Sequence, residues 1–229
     1  MNMTNDGARY GFTQYCYPKD FELSGRSFTL RSGEKAWQLD FIDDGFIESC
    51  DGVAEKILSR YEALKLDDTT HIAFFGEYIT VAVLDLAAGC AVISDEKGKT
   101  YDFCTIEGRY EGAEMPSYTD EMAGTRVRWF FGCERYLENE YHADGTCTCI
   151  WSPRTNKPRR APARYIRLKD TTYLCQVDAV SPFRTDIPQG YSKIVMLQDY
   201  DRLQTVGCVY SPVLNDWKLI SGYAMPPED

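Results

Sequence analysis

The sequence predicts an all-β protein of two tandem antiparallel β-barrels produced by internal duplication, with few short helices. Three observations carry this. Short runs of alternating apolar and polar residues recur between turn signals along most of the 229 residues. A hairpin unit occurs twice, from Arg60-Tyr61 through Asp67-Asp68-Thr69-Thr70 to Glu77, and from Arg164-Tyr165 through Asp170-Thr171-Thr172 to Asp178. Further landmarks repeat in the same order: Gly25 to Leu30 parallels Gly124 to Trp129, a separation of 99 residues, and Asp85 is echoed by Asp199.

Taken in order, residues 1–22 form an N-terminal arm, residues 23–106 the first barrel, residues 107–121 a connector and residues 122–229 the second barrel. Ser27 to Leu30, Ala36 to Ile42 and Phe46 to Ser49 read as strands separated by Ser32-Gly33-Glu34 and Asp43-Asp44-Gly45. Val53, Ala54, Ile57, Leu58 and Tyr61 lie near helical spacing behind Asp51-Gly52, which predicts a short helix of about two turns. Thr80 to Leu86 is almost wholly apolar, Gly89 turns the chain, and Cys90 to Ile93 and Thr100 to Ile106 complete the first half. In the second half Ser152 to Pro162 replaces the predicted helix. Its prolines lack donors and fix φ, so it reads as a basic loop. Leu203 to Tyr210 and Trp217 to Gly222 are the closing strands. Barrels of about eight strands have just enough interior to hold a small ligand.

Composition narrows the function classes. With 44% apolar and 14% aromatic residues the chain can bury a core, and a net charge of −10 argues against nucleic acid and anionic membrane surfaces as partners. No segment has the roughly 20 apolar residues of a membrane helix, and the polar start carries no signal-peptide pattern. The expected location is therefore the cytoplasm. Nine cysteines in such a chain predict free thiols, and without a Cys-x-x-Cys pair no metal site is expected. No phosphate-binding glycine loop is present, so no nucleotide cofactor, and no other cofactor, is implied. The expected partner is a small apolar or aromatic molecule; a homodimer is compatible with this reading.

In the second half, Gly124-Thr125-Arg126-Val127-Arg128-Trp129, Tyr136 to Tyr141, Tyr165 to Leu168 and Asp170 to Leu174 resemble, in order and spacing, the C-terminal domain of the MoaF-like branch of the lipocalin-like (calycin) group. Leu23 to Leu30 and Val81 to Leu86 resemble its N-terminal domain. The resemblance spans most of residues 22–211 and implies tandem lipocalin-like barrels. It also implies either a cofactor-independent lyase or isomerase of dehydratase or cyclase type, or a non-catalytic accessory role linked to molybdenum cofactor biosynthesis. The pattern is more distantly similar to phenolic acid decarboxylases. That likeness places Glu77 on a catalytic glutamate, whereas the substrate-holding tyrosine positions fall on Leu30 and Ser32 in the first half and on Trp129 and Phe131 in the second.

Candidate site residues follow from these readings. Glu77, between Phe74-Phe75-Gly76 and Tyr78, would have its pKa raised by aromatic surroundings if it points inward, and would face water if it begins a turn. His71 holds the place of Tyr173 in the repeat; it is either a polar-ended core aromatic or a second catalytic group. Tyr61, Tyr78, Trp37, Arg31 and Phe75 in the first half, with Trp129 and Tyr165 in the second, are candidate substrate contacts whose alternative role is packing. His142 falls in a hairpin turn. With so few histidines, none of them near a serine or cysteine motif, a hydrolase triad is not expected.

Overall fold

The computed structural model describes residues 20, 22–42, 45–50, 53–59, 61–76, 80–95, 99–132, 135–152, 158–178, 193–211 and 216–225. All regular structure among them is β-strand. The chain divides into two compact units, one of Pro18–Ser117 and one that includes Tyr118–Asp229, so the division falls inside the predicted connector. No described helix is long and apolar enough to cross a membrane.

The first unit is one antiparallel sheet. Its strands are β1 (Ser27–Ser32), β2 (Lys35–Ile42), β3 (Gly45–Cys50), β4 (Val53–Ser59), β5 (Tyr61–Lys65), β6 (Thr70–Phe75), β7 (Thr80–Asp85), β8 (Cys90–Ser94) and β9 (Tyr101–Ile106). The spatial order β4-β3-β2-β1-β9-β8-β7-β6-β5 curls the sheet into a half-barrel. The curl brings Phe41 on β2 within 5.2 Å of Tyr61 on β5, ring centroid to ring centroid, edge to face. Leu23, Phe28, Leu30, Leu39, Phe41 and Phe75 are among the core residues, with Trp37 and Tyr61 packed against them. β6, β7 and β8 are buried on both faces, which explains why the sequence there reads as unbroken apolar runs.

The second unit is a closed eight-stranded barrel. Its strands run in sequence order: β11 (Arg126–Gly132), β12 (Arg135–His142), β13 (Thr146–Ser152), β14 (Arg159–Lys169), β15 (Thr172–Asp178), β16 (Lys193–Asp199), β17 (Gln204–Ser211) and β18 (Asp216–Met225). Each pairs with the next, and β18 returns to β11, so no barrel strand is left as an open edge. The two-residue β10 (Ser117–Tyr118) lies beside β14.

The pairing registers make the duplication visible residue by residue. Leu30 pairs with Trp37 as Trp129 pairs with Leu137, and Phe28 with Leu39 as Val127 with Asn139. Lys65 pairs with His71 as Arg167 pairs with Tyr173. Before each first strand the chain makes the same bonds: the Gly25 and Gly124 amides donate to Phe41 O and Tyr141 O, both at 2.8 Å.

Three expectations are corrected. The helix predicted over Val53 to Tyr61 is instead β4 and β5, with β4 paired to β3. Cys50 pairs directly with Val53, so strand pairing overrides a weak helical spacing, and the predicted helix start at Asp51-Gly52 lies outside the described residues. The predicted basic loop is shorter than expected: Arg159 to Pro162 belong to β14 and pair with β13, while residues 153–157 lie outside the described residues. Finally, the repeated Arg-Tyr is out of structural register. Tyr61 pairs with Phe75 and Ala63 with Ala73, whereas Tyr165 pairs with Cys175, so the counterpart of Tyr165 is Ala63. The slip is two residues, which in a strand leaves the side chain on the same face.

The turn at the centre of the first hairpin is held by one carboxylate. Asp67 Oδ1 accepts from the Thr69 amide (2.8 Å), the Thr69 hydroxyl (3.1 Å) and the Thr70 amide (2.7 Å). Asp67→Ala is expected to cost about 1–2 kcal/mol, read as a fall of a few degrees in the thermal midpoint of the full chain.

Candidate active site

The inward face of β6 carries His71, Ala73 and Phe75 at alternate positions. His71 is 1% exposed, and its Nδ1 hydrogen-bonds Asp20 Oδ2. Asp20 is itself 6% exposed and is placed by its backbone, whose amide donates to Ala63 O at 2.9 Å. Its other oxygen, Oδ1, accepts from the Glu22 amide at 2.8 Å. Burial pushes the Asp20 carboxyl up, but the His71 bond, the Glu22 amide and the charges of His71 and Lys65 more than offset it. The group therefore lies below the ordinary carboxylate range.

An ionised carboxylate can only accept, so the proton in the bond belongs to His71 Nδ1 and Nε2 is the nitrogen left to exchange protons. His71 Nε2 is buried and has no hydrogen-bond partner among the described residues. A buried polar atom in that condition is uncommon in folded proteins and calls for a reason.

The second barrel supplies a comparison at the same place. Thr119 stands where Asp20 does: its amide donates to Tyr165 O (3.0 Å) and its hydroxyl accepts from the Glu121 amide (3.1 Å). Tyr173 stands where His71 does and donates to Glu121 Oε2 at 3.2 Å. Glu121 also pairs with Arg167 (2.9 Å), as Glu22 pairs with Lys65 (2.8 Å). The fold thus ties its leading segment to this hairpin in both copies, but only the first does so with a buried carboxylate and imidazole.

The remaining predicted residues separate. Phe75 is buried opposite Tyr61, and Tyr61 packs on Phe41. Trp37 is half-buried on the inward face, with Nε1 buried and without a hydrogen-bond partner among the described residues. The wall between is lined by Ala63, Ala73 and Ala82, in register across β5, β6 and β7, which contribute only methyl groups. Arg31 lies on the opposite face of β1 from Leu30, exposed and 3.3 Å from Glu107. Glu77 and Tyr78 lie outside the described residues. His142 closes β12, where its Nε2 meets Thr148 Oγ1 at 2.7 Å.

Neither a family model nor a curated protein matches the chain. The site is therefore read from its own chemistry.

Trp129 and Tyr165 belong to the other barrel. Tyr165 donates to Thr146 O at 2.8 Å and packs edge to face on Tyr141 at 5.0 Å. Tyr141 is the centre of a buried neutral network: it receives Asn139 Nδ2 (3.2 Å) and Gln198 Nε2 (2.9 Å), and Tyr200 donates to Gln198 Oε1 (3.2 Å). Burial holds the Tyr141, Tyr165 and Tyr200 hydroxyls above the ordinary phenol range. The nearby thiols are equally inert. Cys147 is pushed up first by its neighbour Cys149, 3.6 Å away, and Cys175 by burial, so neither offers a thiolate nucleophile at neutral pH. The described cysteines that are free number six, Cys90, Cys104, Cys147, Cys149, Cys175 and Cys208, in keeping with the expected thiols. Among the described residues, no three His, Cys, Asp or Glu side chains converge as a metal site.

A carboxylate depressed in the fold contributes stability above its unfolded pKa and loses that contribution as pH falls toward its folded value. The Asp20 contribution is thus present above about pH 4 and lost below it. Asp20→Asn is expected to be less stable than wild type at neutral pH and to flatten the acid limb, measured as urea midpoints from about pH 6 to about pH 3.

Proposed function

We propose that the first barrel is a cofactor-free acid–base site acting on a small apolar or aromatic molecule, as a lyase or isomerase, with the Asp20–His71 pair as the proton-transfer group. The observation that carries this reading is the buried imidazole whose Nδ1 is held by Asp20 while its Nε2 has no partner among the described residues. The second barrel supports it, because there the corresponding tie runs from Thr119 and Tyr173 to the exposed Glu121 and not through a buried pair.

In this reading Nε2 removes a proton from carbon or oxygen of the ligand and returns it to a second carbon, giving isomerisation, or to a departing group, giving elimination. Asp20 orients the ring and stabilises the imidazolium formed between the two transfers. Trp37 Nε1 is a donor suited to an oxygen on which charge develops. Burial keeps bulk water from competing for the proton. Glu77, which the decarboxylase likeness favours, is an additional acid or base in this scheme.

The experiment is solvent exchange. Native mass spectrometry of the purified chain identifies a co-purifying molecule, which is then incubated with enzyme in deuterated water. Wild type is expected to wash deuterium into it, and His71→Gln to slow that exchange by about 10²-fold or more. A stoichiometric ligand that neither exchanges nor reacts leaves a carrier and ends the catalytic reading.

A further inference from the structure

The closed barrel carries a feature the proposed chemistry does not use. Trp129 and Asn139 are both fully buried, on the same inward face as Leu137 and Tyr141. Val127 pairs with Asn139 and Trp129 with Leu137, so Trp129 and Asn139 are diagonal neighbours across β11 and β12. Trp129 Nε1 is a donor without a hydrogen-bond partner among the described residues, and Asn139 Oδ1 is an acceptor in the same state. Whichever way the Asn139 amide lies, one of its polar atoms meets Tyr141 and the other is left over. Leaving both unmet costs more than burying two apolar groups in their place. The first copy shows that apolar alternative: Leu30 and Leu39 hold the corresponding positions.

We propose that the second barrel holds its own ligand site, for a small uncharged molecule that presents a hydrogen-bond donor beside an acceptor, the edge of a primary amide or lactam, between Asn139 Oδ1 and Trp129 Nε1. The ligand is uncharged because the described residues next to the two atoms on this face, Val127, Leu137, Tyr141, Cys149 and Ala224, carry no charge to neutralise it. The buried carboxylates of this unit, Glu138 and Asp199, alternate with Asn139 and Gln198 and so point the other way. Glu138 is already held there by Arg126 and Arg128. Inward-facing Ala161, Ala163 and Ala224 keep the surrounding wall small, and Ala224 is the direct pairing partner of Trp129. The site stands independently of the Asp20–His71 reading, since it shares no residue with it.

The test is ligand-observed NMR and calorimetry on the full chain with benzamide and 2-piperidone as neutral probes, benzoate as the charged shape-match, and toluene as the apolar one. Benzamide or 2-piperidone is expected to bind at least about tenfold more tightly than benzoate and toluene, the size of one good hydrogen bond. Asn139→Leu, the residue the first copy carries, is expected to remove that preference with the circular dichroism spectrum intact. Trp129→Phe, which keeps a ring and deletes the donor, is the second variant should the first misfold. Neutral probes that bind no better than toluene, or equally well to wild type and both variants, overturn the proposal. So does a crystal structure in which an ordered water joins the two atoms and neither neutral probe displaces it.

Discussion

The double change Asp20→Thr with His71→Tyr is expected to leave the first barrel folded and to abolish its proton-transfer activity. The expectation rests on the internal repeat: these are the residues that Thr119 and Tyr173 supply at the corresponding places, where each takes part in the same tie through Glu121. In the first copy Glu22 stands two residues after Asp20 and is already paired with Lys65, so a tyrosine hydroxyl at position 71 has a carboxylate to reach. The single change Asp20→Ala leaves the buried imidazole without its acceptor and is expected to cost about 1–3 kcal/mol. The double change should recover most of that. Activity should follow the other order, with the deuterium exchange rate falling by about 10²–10⁴-fold in the double variant although its thermal midpoint stays close to wild type. A double variant that is both well folded and fully active removes the pair from the mechanism.

The second large effect concerns closure of the second barrel. Gly207 on β17 pairs with Met196, and a Cβ there would sit 2.1 Å from Val195 O and 2.9 Å from Met196 Cα. Both obstacles are backbone of the neighbouring strand, which cannot rotate aside as a side chain can. Ile93 holds the corresponding place in the first sheet, pairing with Ala82, so the close approach is a property of the closed barrel and not of the repeat. Gly207→Ala is therefore expected to lose about 3 kcal/mol, or about 6–12 °C in thermal midpoint. Gly33→Ala is the control. Its φ of +59° makes any side chain strained, but a Cβ there meets nothing within 4 Å, so about 1 kcal/mol is expected. Equal losses at the two positions would contradict the closure argument.

Much of the fold was legible because period-two patterning and turn chemistry are local. Ala36 to Ile42 alternates as β2 does, and Asp67-Thr69-Thr70 marks its turn through bonds among near neighbours. What misled was similarity without register. Arg60-Tyr61 and Arg164-Tyr165 look like one motif, but pairing matches Tyr165 to Ala63, because a two-residue slip preserves the face and nothing in a single chain reports the partner strand. Val53 to Ser59 misled differently, since its spacing suits a helix while its partner β3 decides for a strand.

Half of the candidate site was legible. The match of His71 to Tyr173 places it on an inward face, and a polar-ended aromatic describes both. Asp20 was not found, because it lies 51 residues from His71 in the chain and inside the predicted arm. A signal for it existed: the spacing that matches Gly25 with Gly124 also matches Glu22 with Glu121 and Asp20 with Thr119, and extending the repeat by those few residues sets a carboxylate in the first copy against a threonine in the second.

The most direct measurement is a long-range proton–nitrogen NMR spectrum of the imidazole of His71 in the full chain at neutral pH, with and without ligand. Nδ1 should carry the proton that bonds Asp20, and Nε2 should shift when ligand binds. A spectrum in which Nδ1 carries no proton, or in which Nε2 is indifferent to ligand, would contradict the account.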